Sequence, residues 1–372
     1  MIFLGAGASK IFGIKTLQEM SKDLTEIMEK KGYSDIVGKI TKGLERFGIP
    51  PDFEAIYVIV EGLTNILQTV KKSGSFTAYV CRDLKELEPQ QDLKDLLKVF
   101  RSFIYEECKL KRDFIEKICP VYDKLFEILK DSGKKETRWL PKHGANALEL
   151  TTFPVGIDDT IVTTNYDMII ESYHRIKRQQ YADGFGEVEG DPNIKRLDLT
   201  TYSSIRQRWL IKLHGSIYEY TDGKSVFKAT EDPEKFEIPV EIEEKMMVFP
   251  TNEKPILRAP YYGFYDVFRT QKWAKLIAIG YSFRDDPVNI AILENLEKVE
   301  HSILIVVNPN AEKVIQNLGA SALPKFDDRI IPVQGKFGDE EVFQNLMEAL
   351  KVESKKRYEE RKLERLKGAT LY

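Results

Sequence analysis

Each of five short polar motifs follows an apolar, β-prone run. They are Gly5-Ala6-Gly7-Ala8-Ser9, Asn165-Tyr166-Asp167, His214-Gly215-Ser216, Gly280-Tyr281-Ser282 and Asn308-Pro309. Gly5 and Gly7 lack a Cβ, so the backbone there can approach a pyrophosphate whose charge the following N–H groups favour. The same glycines also suit an ordinary tight strand-to-helix turn. Asn165 carries an amide that both donates and accepts, which suits positioning of a water or a sugar hydroxyl. His214 suits general-base work, because an imidazole titrates near ~6.5. Asp167 can favour a developing positive charge, or it can cap a helix that begins there. The dehydrogenase form of the glycine motif is incomplete. Lys10 follows Ser9 with no third glycine, and no strand ending in an acidic residue is expected within the next ~20 positions.

These motifs must be held by the elements that precede them. Candidate strands are Ile2 to Leu4, Thr160 to Thr164, Trp209 to Leu213, Lys275 to Ile279, Ser302 to Val307 and Arg329 to Val333. Short β-branched runs alternating with helices predict an α/β fold, a Rossmann-like doubly wound parallel sheet of about six strands. In such a sheet ligands bind at the carboxyl ends of the strands, which is where all five motifs fall. Between the first and second strands the periodicity is almost entirely helical. Thr16 and Glu19 have capping-box spacing ahead of Leu17, Met20, Leu24, Ile27 and Met28. Stripes follow at Phe53, Ile56, Tyr57 and Val60, at Leu93, Leu96, Leu97, Phe100 and Ile104, and at Phe114, Ile118, Val121, Leu125 and Ile128. We therefore expect a nucleotide-binding domain over 1–32 and 150–350, an all-helical insertion over 33–149 and a charged C-terminal helix over 351–372. The stretches 181–208 and 216–262, rich in Gly, Asp, Glu and Pro, read as loops or small excursions carrying short strands.

Composition narrows the function. A chain of 372 residues, 42% hydrophobic, is long enough for a large core and a second module. A net charge of −3, without a basic face interleaved with aromatics, argues against direct nucleic-acid binding. Cys81, Cys108 and Cys119 are scattered, which predicts buried thiols and no metal site. No membrane-spanning run or leader pattern is seen, so a cytoplasmic protein is expected.

In their order and content, LGAGAS at 4–9, TTNYD at 163–167, KLHGS at 212–216, IGYSFRDDPVN at 279–289 and VVNP at 306–309 resemble the sirtuin-like superfamily. The resemblance implies NAD as the ligand. It gives Gly5, Ala6, Gly7 and Ser9 to the pyrophosphate, Asn165 and Asp167 with neighbouring Thr164 to the nicotinamide ribose, and His214 to the ribose hydroxyls. Gly280, Tyr281, Ser282 and Asn308 flank the adenosine half. Deacylating sirtuins carry a four-cysteine zinc module after the Leu-His-Gly, whereas here no cysteine follows Cys119. Their Gly-Ile-Pro-x-Phe-Arg loop is replaced by Gly13-Ile14-Lys15-Thr16-Leu17. With its long helical insertion, the chain looks more like the sirtuin-like NAD hydrolases of prokaryotic antiphage systems. That implies a partner such as a HerA-type ATPase or an Argonaute-like protein.

The chemistry fits these residues. Breaking the nicotinamide–ribose bond creates positive character at the anomeric carbon, so the site must orient the sugar, stabilise that charge and admit a nucleophile. The expected function is an NAD-consuming glycohydrolase giving nicotinamide and ADP-ribose, or cyclic ADP-ribose, with Asn165, His214 and Asp167 catalytic and no metal. The alternatives are an NAD-dependent deacylase or ADP-ribosyltransferase, or a silent NAD or ADP-ribose sensor. A homo-oligomer is expected. His143, His174 and His301 read as surface or helix-face residues. Ser9 and Ser216 lack a Gly-x-Ser-x-Gly elbow, and Asp285 or Asp286 reads as a helix cap.

Overall fold

The computed structural model describes residues 1–49, 51–72, 90–131, 136–141, 148–153, 160–203, 208–222, 224–232, 244–247, 261–319 and 323–352. Cys81, His143 and the expected C-terminal helix from residue 353 onward lie outside the described residues. The strands in chain order are β1 (Ile2–Leu4), β2 (Glu136–Pro141), β3 (Leu148–Phe153), β4 (Thr160–Thr163), β5 (Tyr181–Ala182), β6 (Phe185–Val188) and β7 (Asp191–Leu197). They continue with β8 (Arg208–Lys212), β9 (Gly215–Thr221), β10 (Val226–Ala229), β11 (Glu244–Met247), β12 (Lys275–Ile279), β13 (Ile303–Asn308) and β14 (Ile330–Gln334). The chain divides into two compact units. Among the described residues, one comprises Met1–Gly13 and the residues from Leu110 onward except 249–255, and the other Ile14–Lys109.

The first unit is built on a seven-stranded sheet in the order β14-β13-β12-β1-β4-β8-β5, every pairing parallel. This is the Rossmann-like α/β fold, with the short β5 added at one edge. The chain builds outward from β1 through β4 to β8, then returns to the other side of β1 at β12, so the topological switch lies between β1 and β12. A parallel sheet is covered on both faces, which explains why its strands are continuous apolar runs. Ile2 and Phe3 are fully buried, as are Ile161, Val162, Leu210, Ile211 and Leu276 to Ile279. Each such Ile, Leu, Val or Phe side chain contributes ~1.5–3 kcal/mol. With only three residues, β1 depends on this burial and on the neighbours that pair along both its edges.

A second, antiparallel sheet of five strands, ordered β11-β9-β10-β7-β6, follows β8. It gathers short strands of the kind expected within 181–208 and 216–262 into one sheet, an assembly the sequence reading did not foresee. Its strands escape a hydropathy reading because charged residues sit inside them: Glu219 in β9 and Lys228 in β10 are both buried. Only Leu213 and His214 separate β8 in one sheet from β9 in the other. The β2–β3 antiparallel pair likewise corrects a helical reading of residues up to about 145. Cross-strand pairing there overrides local periodicity.

In the second unit the described elements are all helices: Leu17–Lys30, Ser34–Arg46, Phe53–Lys72 and Gln90–Cys108. Thr16 and Glu19 form the expected capping box, the Thr16 amide donating to Glu19 Oε2 at 2.9 Å, and Asp52 Oδ1 accepts from the Ala55 amide at 2.9 Å. Phe53, Leu96, Phe100 and Ile104 form buried stripes. The amphipathic helix from Leu17 therefore does not start at the glycine loop. A four-residue helix, Ala6–Ser9, and a 3₁₀ turn, Lys10–Phe12, follow β1 instead.

Candidate functional site

The site grows from the carboxyl ends of β1, β4, β8, β12 and β13. The Gly5 amide donates to Ile279 O at 2.9 Å, the Gly7 amide to Gly280 O at 3.0 Å and the Gly280 amide to Val307 O at 2.8 Å, lacing three strand ends together. A Cβ on Gly5 would lie 2.5 Å from Tyr281 Cα, one on Gly7 2.8 Å from Gly280 Cα, and one on Gly280 2.2 Å from Ala8 N. The glycines are needed first because two backbone loops touch here, a reason the sequence did not disclose. Gly280 also has φ +63°, the left-handed region that glycine tolerates. Tyr281 is a core residue, its ring packed 4.6 Å from Phe3 and 4.8 Å from Phe283. Asn308 Nδ2 donates to Tyr281 O at 3.3 Å, and Ser282 O accepts from Asn317 Nδ2 at 2.8 Å.

At the β1–β4 end the structure brings Ser9, Asn165 and Asp167 into one network. Asn165 Nδ2 donates to Gly5 O at 3.0 Å and to Ser9 Oγ at 2.8 Å. Ser9 Oγ in turn donates to Asp167 Oδ2 at 2.6 Å. Asp167 Oδ1 accepts from the Ile169 amide at 3.0 Å, serving the helix Ile169–Ile176. Burial pushes the Asp167 carboxyl up, against the opposing pull of Lys212 and the Ser9 and Ile169 bonds. Thr163 Oγ1 donates to Leu4 O at 2.9 Å and accepts from the Asn165 amide at 3.0 Å, while the Thr164 amide donates to Leu4 O at 3.3 Å. Asn165 is therefore fixed through its amino group, and its Oδ1 accepts nothing from the described residues.

His214 is buried in the turn after β8, with Nε2 2.7 Å from Asp285 Oδ2. An ionised carboxylate accepts, so this contact assigns the ring proton to Nε2 and leaves the Nδ1 lone pair available. Asp285 also caps the helix Asp286–Lys298 through the Val288 amide, as its position ahead of that helix predicts. The Tyr166 ring lies 6.4 Å from the imidazole. Ser216 is fully buried, its Oγ 3.1 Å from Met168 Sδ. Among the remaining histidines, His174 lies on the helix Ile169–Ile176, on its buried face and stacked 4.8 Å from Tyr181.

Residues 159–321 match the family model of the SIR2-like domain. The match spans β4 to β13 and takes in Asn165, Asp167, His214, Gly280 and Asp285. It supports an NAD-related function, since SIR2-like domains use NAD. Comparison with curated proteins finds no match. The donor set of the rim suits such a ligand. The Ala6 amide, first in its helix, has no intrahelical acceptor, Asn165 Oδ1 and His214 Nδ1 are unengaged by the described residues, and Gly7, Thr164, Ser282 and Asn308 are half-exposed. Among the described residues no group of three or more His, Cys, Asp or Glu is placed to hold a metal ion, and no helix is long and apolar enough to cross a membrane.

Behind the rim lies a buried charge network that sequence reading missed. Lys212, at the end of β8, donates to Asp167 O and pairs with Glu171 at 3.0 Å. Lys228 pairs with Glu171 at 3.1 Å and Asp183 at 2.8 Å. Burial alone would raise Glu171, but Lys212 and Lys228 hold it down to about 2. Tyr261 Oη donates to Glu219 Oε2 at 2.8 Å, and burial pushes Glu219 up to about 7. The available signal was a lysine inside the apolar run Trp209 to Leu213, because a buried lysine demands a carboxylate. Asp285 was legible as a cap, not as the partner of a histidine in another motif.

Proposed function

We propose that this protein is an NAD glycohydrolase, releasing nicotinamide and ADP-ribose or a cyclised form, and the effector of a prokaryotic antiphage defence system. The observation that carries the reading is the buried His214–Asp285 pair at 2.7 Å, beside the Ser9–Asn165–Asp167 network on the same sheet rim. Hydrolysis leaves the electron pair of the broken bond on the nicotinamide nitrogen, adds water to the ribose carbon and releases one proton. His214 Nδ1 is the group to take that proton, and Asp285 stabilises the resulting imidazolium. Asn165, its amino group tied to Gly5 O and Ser9 Oγ, offers Oδ1 in a fixed direction to an attacking water or ribose hydroxyl. The Ala6 amide, Gly7, Thr164, Gly280, Ser282 and Asn308 are the groups to hold the nucleotide. The reading includes a homo-oligomer and a partner, a HerA-type ATPase or an Argonaute-like protein. Phe47, 81% exposed, and Ile49, 43% exposed, support surface association through the helical unit.

A second reading, an NAD or ADP-ribose sensor without turnover, draws support from the same network, because the amino group of Asn165 and both oxygens of Asp167 already serve the rim. Incubating the purified protein with NAD, alone and with acetylated peptide, separates the possibilities. Free ADP-ribose without an acceptor is the expected result. Acetyl-ADP-ribose formed only with peptide indicates deacylation, and binding without turnover indicates the sensor. In the expected case Asn165→Ala and His214→Ala each lose at least ~100-fold in turnover, while the NAD dissociation constant moves by less than about tenfold.

A further inference from the structure

We propose that Glu219, acting through Tyr261, is a positioning residue for His214: the two side chains form the seat of the His214–Gly215 turn. The geometry stands without the glycohydrolase reading, and only its catalytic consequence rests on that reading. Gly215 has φ +79°, and a Cβ there would lie 2.5 Å from Tyr261 Oη and 2.9 Å from Glu219 Oε2. The turn thus rests directly on the two oxygens, which are bonded to each other at 2.8 Å. Only Leu213 and His214 join β8 to β9, so the turn has little slack with which to absorb a movement of its seat. Glu219 and Tyr261 are 1% and 0% exposed. A buried carboxyl with no task beyond filling space is costly, and an apolar residue there would serve packing better.

The surroundings make this seat sensitive to charge. Glu219 faces Lys228 from β10, Lys212 from β8, Asp183 ahead of β6 and Tyr261 from the helix Tyr261–Thr270, with Tyr202 also near. Glu171 and Asp183 already pair with the two lysines, so an ionised Glu219 is a surplus negative charge. Burial accordingly raises it to about 7. Above that pH the Tyr261 bond becomes charge-assisted and shorter; below it the carboxyl is neutral. His214 itself faces Asp285 and the Tyr166 ring.

The test is an NMR titration of the full chain without ligand, the His214 imidazole signals being identified by their loss in His214→Gln. Wild type should give a biphasic His214 curve, as coupled groups do. Glu219→Gln should reduce it to a single step, and Tyr261→Phe should weaken the second phase. With NAD, Tyr261→Phe should lower kcat about tenfold with KM nearly unchanged, as a small misplacement of a reacting group does. Folded Glu219→Gln and Tyr261→Phe variants with wild-type imidazole curves overturn the proposal. If Glu219→Gln does not fold, Tyr261→Phe, which removes one oxygen, decides alone. A biphasic wild-type curve that Glu219→Gln simplifies, in a protein that does not turn over NAD, supports the positioning role while removing the glycohydrolase reading.

Discussion

Replacing Asp285 by Asn tests the role of His214 with a nearly isosteric change. The two side chains are 3% and 5% exposed and 2.7 Å apart, so the contact is charge-assisted and contributes ~1.5–3 kcal/mol. Asn keeps the volume and caps a helix as well as Asp does. The cap bond is in any case long, at 3.5 Å, so little stability is lost there. What changes is the imidazole. An amide oxygen facing Nε2 preserves the tautomer but stabilises the imidazolium less, whereas an amide nitrogen facing it drives the proton to Nδ1 and removes the base. In the serine-protease triad the equivalent change costs ~10⁴ in kcat. For one positioned acid–base group the floor is ~100-fold, or ~2.7 kcal/mol. Nicotinamide release should therefore fall at least ~100-fold, while a stability loss of ~1–2 kcal/mol lowers Tm by roughly 2–8 °C. NAD affinity, read by calorimetry, should change by less than about tenfold. A folded Asp285→Asn protein with turnover within about threefold of wild type refutes the reasoning.

Gly280→Ala should cost at least ~2 kcal/mol, because its Cβ meets Ala8 N at 2.2 Å with φ at +63°; a Tm unchanged by the substitution contradicts the loop-on-loop account. Ser9→Ala removes the oxygen that joins Asn165 to Asp167. It leaves two buried or half-buried partners short of a bond, so chemical denaturation should show a loss of ~1–3 kcal/mol. Burial lowers His174 from 6.5 to about 4, so between those values the unfolded chain binds the proton more readily and wild type loses stability as pH falls. His174→Phe keeps the stack on Tyr181 and removes a buried Nε2 that has no hydrogen-bond partner among the described residues, so urea midpoints should depend less on pH across that window.

The parallel sheet was legible because burial on both faces writes each strand as an uninterrupted apolar run. The six expected strands fall within a residue or so of β1, β4, β8, β12, β13 and β14. Short strands were expected within 181–208 and 216–262, but their assembly into one antiparallel sheet was not legible. Its strands hide Glu219 and Lys228, whose burial makes sense only beside Tyr261, Glu171 and Asp183, residues distant in sequence. The polar motifs marked the rim because polar groups after apolar runs have few other places to be. Their partnerships were beyond reach: His214 and Asp285 lie 71 residues apart and meet only because the chain returns to β12 on the far side of β1. Gly5 and Gly7 were read for the space they leave a phosphate, whereas the close approach of Gly280 and Tyr281 is what first demands them.

The central position of β1 also sets a timetable for synthesis. Its partner in β4 lies 159 residues later, Ile161 opposite Ile2, and its partner in β12 follows at Ile277. At ~5–20 residues per second a ribosome needs roughly 15–55 s to make the chain between Ile2 and Ile277. Until β4 is made this apolar strand has no edge to join, while the helices of Ile14–Lys109 can already form by packing among themselves; its other edge stays open until β12 follows. The middle of the sheet is thus closed late, when β12 is made, and both halves of the rim come together only then. A nascent chain stalled before β12 would hold its helical unit and β4 but no site.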